Sequence, residues 1–378
     1  MFEIITYSSF AILTGGALVV GKKLLFASSH FRMKKLLSVP SMLSDLPSVS
    51  VCIPVRNETH AMTQCLERVI ATRYPKLEII VLDDNSADDT SILIKSFAHA
   101  GVRFVEGSPL PDGWLGKNHA LQGLLKEASG SYILFMDVDT QIQPDTVEQL
   151  IAYMKQEQAA MISVMPLRQD GWRASVLFGT LRYYWELVLH RPAAPAVASS
   201  VWMIHRQTLI TQLGGFEPIK AVVQPEATLA ASLSVQHHYR FLMSTRLLGV
   251  SYEKKWRSQV DTGVRLLFPI FGGKVGKASV AVAILVLLNI PTIGLIFGLW
   301  QGWTMIQTLS VAVLSMYGGL YVYFLSKFWA RSAWVGIITW PYLIAQELVV
   351  VVLSIRTHLR HRVTWKGRPV TSGRESQS

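Results

Sequence analysis

Hydrophobic residues are concentrated at the two ends of this chain, whereas its middle has a mixed apolar and polar pattern. One apolar run covers residues 4–20, and three more cover 278–300, 303–325 and 333–354. Each is close to the ~20 residues that a helix needs to cross the hydrocarbon core of a bilayer. The pattern therefore predicts a membrane-attached protein with a water-soluble part at roughly 48–262.

Within this soluble part, short apolar runs rich in β-forming residues alternate with segments of helical apolar spacing. The predicted strands are Ser48–Pro54, Leu77–Asp83, Val102–Glu106 and Tyr132–Asp137, and the helical segments are 63–71, 89–100 and 118–128. Strands that are apolar almost throughout are typical of a parallel sheet covered by helices on both faces. Such sheets bind ligands at the carboxyl ends of their strands, so the residues that follow each strand are the candidates for function.

The fourth predicted strand ends in two aspartates one residue apart, Asp137 and Asp139. Two neighbouring carboxylates repel each other unless a cation neutralises them. Hard divalent ions take oxygen ligands and leave coordination positions for the phosphate oxygens of a substrate. The pair therefore indicates a metal-assisted reaction on a phosphorylated substrate, with turn or helix capping as the alternative.

Charge and cysteine content narrow the class of protein further. Lysine and arginine exceed aspartate and glutamate by 36 to 25 over 378 residues, and many basic residues flank the apolar runs, as at Lys22, Lys23 and Arg356–Arg374. This distribution favours an anionic membrane surface over nucleic acid as the partner. No basic residue precedes the first apolar run, which predicts an uncleaved anchor in the plasma membrane with a cytoplasmic head. Cys52 and Cys65 lie within predicted elements, so we expect buried, reduced thiols.

Two common nucleotide-binding signatures are absent from the sequence. No G-x-G-x-x-G follows the first strand and no G-x-x-x-x-G-K-[ST] occurs, which argues against a dinucleotide dehydrogenase and a P-loop NTPase. Five other motifs occur in order: IPVRNE (53–58), VLDDNSADDT (81–90), GWLGKNHAL (113–121), MDVDT (136–140) and GGF (214–216). Together they resemble the family 2 inverting glycosyltransferases over roughly residues 48–260.

Two stretches resemble a narrower branch of that family. The GWLGK stretch, together with Trp365-Lys366-Gly367-Arg368, is similar to membrane enzymes that glycosylate lipids. These are the diaponeurosporenoate (carotenoid) and hopene-associated glycosyltransferases and, more distantly, the ceramide glucosyltransferases. By this resemblance the WKGR stretch is expected near the donor, with membrane-surface binding as the alternative.

The resemblance implies an α/β fold class with a GT-A-like nucleotide-diphosphosugar transferase domain, an N-terminal transmembrane anchor and C-terminal transmembrane or interfacial helices. We accordingly expect five segments. They are an N-terminal membrane anchor at 1–27, the transferase domain at 48–262, an interfacial linker at 263–277, a hydrophobic membrane region at 278–355 and a basic tail at 356–378.

The resemblance also implies roles for the acidic residues after the strands. Asp139 would bind Mn²⁺ or Mg²⁺, and Asp137 would hold the ribose or a metal-bound water. Asp84 matches the aspartate that contacts uracil, whereas Asp83 could equally cap the turn, and capping is the expected role of Asp88.

The first motif implies that Pro54, Arg56 and Glu58 bind the nucleotide, although Glu58 could also be a solvated loop carboxylate. Lys117 follows two glycines just before a predicted helix, where a cation beside a helix start suits the donor phosphates; a solvated lysine is the alternative. Trp114 could pack against a sugar, against an apolar acceptor or in the core.

Glu226 is the candidate general base. The family usually has a Glu-Asp pair here, and this chain reads Gln224-Pro225-Glu226-Ala227, without the aspartate. A carboxylate acceptor would need no strong base, because it is already ionised near neutral pH. The Gln-x-x-Arg-Trp motif of the processive polysaccharide synthases is also absent, which favours transfer of a single sugar.

The expected function is transfer of one hexose from a UDP-sugar to a hydrophobic lipid acceptor such as a carotenoid or hopanoid. A polyprenyl-phosphate glycosyltransferase and a non-catalytic membrane scaffold are the alternatives. The apolar run 333–354 contains Pro341, Gln346 and Glu347, and an unpaired carboxylate is costly inside a membrane. We therefore expect this run to bend or lie at the interface and return the tail to the donor side, with a simple third crossing as the alternative.

Overall fold

The computed structural model describes residues 2–32, 46–169, 177–328, 333–365 and 368–369. The chain divides into two compact units. The helical unit comprises Met1–His30, Arg168–Leu189 and Lys254–Arg362, and the α/β unit comprises Phe31–Leu167, His190–Glu253 and Val363–Ser378.

The described elements alternate between strand and helix through the α/β unit and become helical towards the C-terminus. The strands are β1 Val49–Val55, β2 Leu77–Asp83, β3 Val102–Glu106, β4 Tyr132–Met136, β5 Thr140–Gln141, β6 Met161–Met165, β7 Leu167–Arg168, β8 Val201–His205, β9 Tyr239–Met243, β10 Ser251–Tyr252, β11 Thr364–Trp365 and β12 Arg368–Pro369. The helices are α1 Phe2–His30, α2 Thr59–Ile70, α3 Thr90–Ser96, α4 Gly116–Glu127, α5 Thr146–Gln156, α6 Arg182–Leu189, α7 Arg206–Thr211, α8 Pro225–Val235, α9 Trp256–Ile270, α10 Val275–Gln301, α11 Thr304–Phe328 and α12 Gly336–Leu359.

The α/β unit is built on a seven-stranded sheet in the order β3-β2-β1-β4-β8-β6-β9. The first four strands pair in parallel, as their continuous apolar character predicted. β8 is antiparallel to both β4 and β6, so the sheet is mixed rather than wholly parallel. The parallel strands bring the segments after β1, β2 and β4 to one edge of the sheet.

Strand β1 lies inside this sheet, between β2 and β4, and its side chains are buried on both faces. Val49, Val51, Ile53 and Val55 lie in one hydrophobic cluster with residues of α2 and α5. Cys52 lies on the same strand, and both cysteines are buried and free, which confirms the expected reduced thiols.

The helical unit contains four helices long and apolar enough to cross a membrane, among the residues described. They span Tyr7–His30, Val275–Gln301, Thr304–Lys327 and Ala333–Leu359, so each predicted apolar run forms a helix. Close contacts join them: the hydroxyl of Tyr317 on α11 donates to the carbonyl of Leu13 on α1 at 3.0 Å.

Helix α12 differs from the prediction in two ways. It runs unbroken from Gly336 to Leu359 although Pro341 lies inside it, since proline there removes only one backbone donor near the helix start. Glu347 is fully buried but not unpaired, because its carboxylate accepts from the Trp185 indole Nε1 at 2.8 Å and the Leu181 amide at 3.2 Å. Whether α12 crosses the membrane stays a prediction.

The structure also divides the chain differently from the five predicted segments. Helix α9 continues across the predicted boundary at 262–263, and Arg168–Leu189 groups with the helical unit. β11 and β12 form an antiparallel hairpin that places Trp365 opposite Arg368, while Lys366 and Gly367 between them lie outside the described residues.

Candidate functional site

The ends of β1 and β2 are tied together by a network of backbone and side-chain hydrogen bonds. The Asp84 amide donates to the Val55 carbonyl at 2.8 Å. The Arg56 guanidinium donates to the carbonyls of Asp84 and Asn85, the latter at 2.8 Å. Arg56 therefore holds the two strand ends in register. Pro54, the other implied donor-binding residue here, lies within β1 opposite Leu82.

Asn57 completes the link between the two strand ends. It has a positive φ of 52°, its amide donates to the Ser86 hydroxyl at 2.9 Å, and its side-chain carbonyl accepts from the Ala87 amide at 2.8 Å. A left-handed conformation is tolerated by asparagine better than by most residues. Its position in the IPVRNE motif thus has a structural reason that the sequence interpretation missed.

Two acidic residues of the VLDDNSADDT motif cap local structure. The Asp83 carboxylate accepts from the Ser86 amide at 3.2 Å and from the hydroxyls of Ser86 and Ser91. The Asp88 carboxylate accepts from Thr59 at 2.6 Å and from the Thr90 hydroxyl at 2.5 Å. Burial acts to raise the pKa of Asp88, but these hydrogen bonds lower it to about 2. The capping role expected of Asp88 is present, and Asp83 caps the turn.

The D-x-D residues lie in a tight turn directly after β4. The Asp137 amide donates to the Ser200 carbonyl at 2.8 Å, and the Asp137 carbonyl accepts from the Thr140 amide at 3.0 Å. Val138 is buried between them, which leaves the two flanking aspartates partly exposed. Both carboxylates are therefore accessible at the end of β4.

The carboxylates of Asp139, Glu58 and Asp137 all lie within electrostatic reach of one sulfur atom. Cys65 is on α2, and burial raises the pKa of its thiol to about 12, with these three carboxylates acting in the same direction. Glu58 immediately precedes α2, and the aspartates follow β4. Each of these carboxylates thus acts on Cys65, although Glu58 and the two aspartates are about 80 positions apart in the chain.

Lys117 faces this acidic group from the first turn of α4. Its ammonium nitrogen lies 2.9 Å from an oxygen of Asp137, with both side chains partly exposed. Leu115, the residue before the helix, makes no side-chain capping hydrogen bond. The first-turn amides of a helix without a side-chain cap suit an anionic ligand, and the lysine adds a positive charge.

Trp114 is neither a core residue nor placed against the D-x-D turn by any described contact. It borders a cavity of about 340 Å³ and meets the His119 ring edge-on, with ring centroids 5.5 Å apart. Trp114 is thus half-buried, and its packing against a sugar or an apolar acceptor stays a prediction.

Glu226 lies in the first turn of α8, directly after Pro225 at the first helical position. Only 2% of the residue is exposed. Proline is well suited to a first helical position, and a carboxylate in the first turn is favoured by the helix dipole. Helix α8 thus fixes the position of the Glu226 carboxylate.

The GGF motif forms a backbone junction. Gly214 and Gly215 both have positive φ, at 72° and 69°, and a side chain at Gly215 would come within 3.0 Å of Gln122. Phe216 is fully buried and meets Phe135 of β4 edge-on at 5.7 Å. This motif therefore serves the fold, and Gln122, which contacts it, was missed by the sequence interpretation.

A divalent cation fits the D-x-D turn if the carboxylates and the phosphates of a bound substrate coordinate it together. Among the residues described, no three His, Cys, Asp or Glu side chains form a ready-made cage. Mg²⁺ and similar ions are commonly held by one or two carboxylates together with substrate phosphates. Asp137 and Asp139 provide such a carboxylate pair, with Lys117 as the nearby charge for the remaining phosphate oxygens.

Comparison with known proteins identifies the family of this arrangement. The model of the family "Glycosyl transferase family 2" matches residues 50–191. The probable glycosyltransferase YdaM of Bacillus subtilis is 27% identical over 210 residues, covering 53% of this chain and 50% of that protein. A 4,4'-diaponeurosporenoate glycosyltransferase of Staphylococcus aureus is 34% identical over 122 residues, which are 32% of each chain.

Among solved structures, the mannosyltransferase PcManGT from Pyrobaculum calidifontis in complex with GDP-Man and Mn²⁺ aligns with a TM-score of 0.57. The alignment covers 94% of this chain and 99% of that chain at 18% identity, a likeness that concerns the fold. This chain spans about half the length of the first curated relative and a third of the second.

Residues 50–191 therefore match the Glycosyl transferase family 2 model, and the resemblance of the motifs to that family is confirmed. The GT-A-like mixed-sheet α/β fold, with long apolar helices at both ends of the chain, is confirmed as well. Both curated relatives are named as glycosyltransferases. The individual site residues stay predictions.

Proposed function

We propose that this protein is a membrane-bound inverting glycosyltransferase that transfers one hexose from a UDP-sugar to a hydrophobic lipid acceptor. The observation that supports this most directly is the 2.9 Å ion pair of Lys117 with Asp137, in the D-x-D turn after β4, within the region that matches the family 2 model. A diphosphate needs both positive charge and a metal-binding carboxylate pair, and this edge of the sheet offers both.

The donor would extend along the ends of the parallel strands. Asp84 and the Pro54, Arg56 and Glu58 group would hold the nucleotide, since the Arg56 bonds join the β1 and β2 ends there. As the donor binds, Lys117 would leave its ion pair with Asp137 and form one with a phosphate oxygen of the donor. Asp139 would hold Mn²⁺ or Mg²⁺, with Asp137 on the ribose or on a metal-bound water, and the bound ion would supply charge to the departing diphosphate.

Glu226 would accept the proton of an acceptor hydroxyl as the new glycosidic bond forms and the bond to the diphosphate breaks. A base in the first turn of a helix has a well-defined position, which favours a single attack direction. With a carboxylate acceptor the nucleophile is already ionised, and Glu226 would only position it.

The lipid nature of the acceptor is supported by the four long apolar helices and by a relative named for diaponeurosporenoate, a carotenoid carboxylate. An acceptor that stays in the bilayer requires an active site held beside it, and tethering raises the effective concentration of the reactants. We infer a multi-pass protein of the plasma membrane with a cytoplasmic transferase domain at 48–262.

The test uses the full chain in nanodiscs with radiolabelled UDP-glucose, Mn²⁺ and, in parallel, a carotenoid carboxylate, a hopanoid alcohol and a polyprenyl phosphate. Asp139→Ala should abolish transfer while thermal unfolding stays unchanged, because the substitution removes a metal ligand and no core packing. EDTA should have the same effect on the wild type, and added Mn²⁺ or Mg²⁺ should reverse it.

Asp145→Ala is the matched control, since Asp145 is an exposed carboxylate paired with Arg73 on the surface. It should keep full activity. Full transfer by folded Asp139→Ala would refute the proposed metal role. Transfer to the polyprenyl phosphate alone would identify the anionic acceptor class instead.

A further inference from the structure

One side chain of α4 is surrounded by main-chain carbonyls from a distant loop. The Asn118 amide nitrogen lies 3.0 Å from the Ile219 carbonyl, 3.0 Å from the Lys220 carbonyl and 2.8 Å from the Val222 carbonyl. The residue is 1% exposed. Because an amide group has two hydrogens, one of them is shared between two of these acceptors.

The same helix holds this loop at two further points. The amide of Leu115, the residue just before α4, donates to the Lys220 carbonyl at 2.9 Å. The side-chain carbonyl of Gln122 accepts from the Phe216 amide at 2.9 Å. Leu115, Asn118 and Gln122 are spaced so that they lie on one face of the α4 start. The loop 216–222 is thus bound to α4 along its whole length.

This loop leads directly to the candidate base. Val222 is two residues before Gln224, which precedes α8, and Glu226 is the second residue of α8. At the other end of the link, Lys117 precedes Asn118 on the same helical turn and contacts Asp137. One turn of α4 therefore contacts the D-x-D turn with one residue and the base-bearing loop with the next.

We propose that Asn118 is a positioning residue that sets the place of Glu226 relative to the donor phosphates. The inference rests on the proposed transferase function. Asn118 touches neither reacting group; it acts through the 219–222 carbonyls and through its neighbour Lys117. A misplacement of about 1 Å at a reacting group can reduce a rate by about 100-fold, so this link is a determinant of turnover.

The chemistry of the contact predicts which substitution of Asn118 displaces the loop more. Asn118→Ala removes the donor that these three partly buried carbonyls share. Asn118→Asp is isosteric but puts a carboxylate against three carbonyl oxygens, so repulsion replaces attraction and the loop is displaced more strongly than by alanine.

The experiment compares wild type, Asn118→Ala, Asn118→Asp and the control Gln122→Ala in nanodiscs. Gln122 holds the same loop at Phe216, further along the chain from Glu226, so its loss reports on stability without the link to the base. Three measurements are made: calorimetric affinity for UDP with Mn²⁺, kcat for transfer from UDP-glucose, and hydrogen exchange of peptides covering 216–230.

For Asn118→Ala we expect a 10- to 100-fold fall in kcat with the UDP affinity within twofold of wild type, and faster exchange confined to 219–226. Asn118→Asp should show a larger fall in kcat and faster exchange in 219–226 than Asn118→Ala. Gln122→Ala should keep kcat within about threefold of wild type. A structural role alone would lower UDP affinity and kcat together in all three variants.

Unchanged exchange in 219–226, or parallel loss of UDP affinity and kcat, overturns the proposal. Failure of the transferase function itself has a different signature, since the wild type would then bind UDP but transfer no sugar to any acceptor. The exchange measurement does not depend on turnover and in that case still decides whether Asn118 holds the loop.

Discussion

At the end of β2, the two adjacent aspartates Asp83 and Asp84 have different surroundings. The Asp83 side chain is occupied by hydrogen bonds from Ser86 and Ser91. Asp84 is instead held through its backbone, by Val55 and Arg56, at the edge of the sheet. A carboxylate used in a turn is a poor ligand for a substrate, which agrees with the family resemblance in leaving the proposed nucleotide contact to Asp84.

The role of Glu226 gives a prediction at the scale of one residue. Glu226→Gln keeps the shape of the side chain but cannot accept a proton, so transfer to a hydroxyl acceptor should fall by about 10²- to 10⁴-fold. The affinity for UDP with Mn²⁺ should stay the same, because the substitution leaves the strand-end residues intact. Initial rates with the hopanoid alcohol measure the loss.

The carotenoid carboxylate is the internal comparison for this variant. If Glu226 is a proton acceptor, the loss with the carboxylate should be much smaller than with the alcohol, since no proton has to be removed. Equal losses with both acceptors would mean that Glu226 acts by position alone, and an unaltered rate with the alcohol would exclude it as the base.

How far single residues could be predicted depended on whether their partners are near in the chain. The capping by Asp88 is local and was expected from its turn-forming neighbours. Asn118 binds carbonyls 101–104 positions away, and no local pattern identifies such a contact. A polar residue in the otherwise apolar face of a helix is the one signal that the sequence offered.

At the scale of elements, the strands that were predicted well are those with continuous apolar runs. β2 and β3 have the predicted bounds, and β1 and β4 differ by one residue. The antiparallel direction of β8 was not predictable, because strand direction is set by pairing with β4 and β6 and not by the pattern of the strand itself. Helix α9 was missed since its charged face resembles a linker.

Glu347 connects two elements of the helical unit that are far apart in the sequence. Its carboxylate lies on α12 and accepts from the Leu181 amide, just before α6, and from Trp185 within it. A helix start needs acceptors for its first amides, and a buried carboxylate satisfies this need without a local cap. Glu347, whose charge was expected to make burial costly, thus accepts hydrogen bonds that hold the start of α6.

We predict that Glu347→Leu destabilises the helical unit, because it leaves two buried donors unpaired at about 1–3 kcal/mol each. Glu347→Gln keeps one acceptor oxygen and should lose less. Thermal unfolding in nanodiscs, followed by tryptophan fluorescence, measures both. Val349→Ala on the exposed side of the same helix is the control and should change little.

The pairing with Trp185 is tested by a double-mutant cycle. Trp185→Phe removes the indole donor, so its effect and that of Glu347→Leu should be clearly less than additive. Additive losses would show that the 2.8 Å contact contributes nothing to stability and that the carboxylate is buried for another reason.

At the scale of the whole molecule, the open question is which long helices cross the membrane. Within the helical unit, α9 and the second half of α12 run side by side in the same direction. Trp256 Nε1 donates to Gln346 at 3.0 Å, and the Phe268 amide donates to the Ser354 hydroxyl at 3.0 Å. We therefore predict that the two segments share one layer of the membrane.

The character of α9 indicates which layer this is. Its 15 residues extend about 22 Å, less than the ~30 Å hydrocarbon core, and Arg257 and Asp261 lie on its exposed face. Opposite these charges the buried face includes Leu266 and Leu267. An amphipathic helix of this length is typical of the membrane interface. This favours the hypothesis that α12 does not complete a crossing.

Single cysteines report the side of the membrane in intact cells. We expect Gln301→Cys, at the last residue of α10 before an uncharged turn, to react with a membrane-impermeant maleimide from outside. Gln156→Cys in the α/β unit and Arg360→Cys after α12 should react only after permeabilisation, because the positive-inside bias places the basic tail in the cytoplasm. Ser372, further along this tail, lies outside the described residues.

The native cysteines should give little background in this experiment. Cys52 and Cys65 are 0% and 2% exposed, and burial raises the pKa of both thiols, that of Cys65 to about 12, so the reactive thiolate is scarce. Ready labelling of Arg360→Cys from outside, with Gln156→Cys still protected, would establish a third crossing. The tail would then lie on the far side of the membrane from the transferase domain, and the hairpin of Trp365 and Arg368 could have no role near the donor.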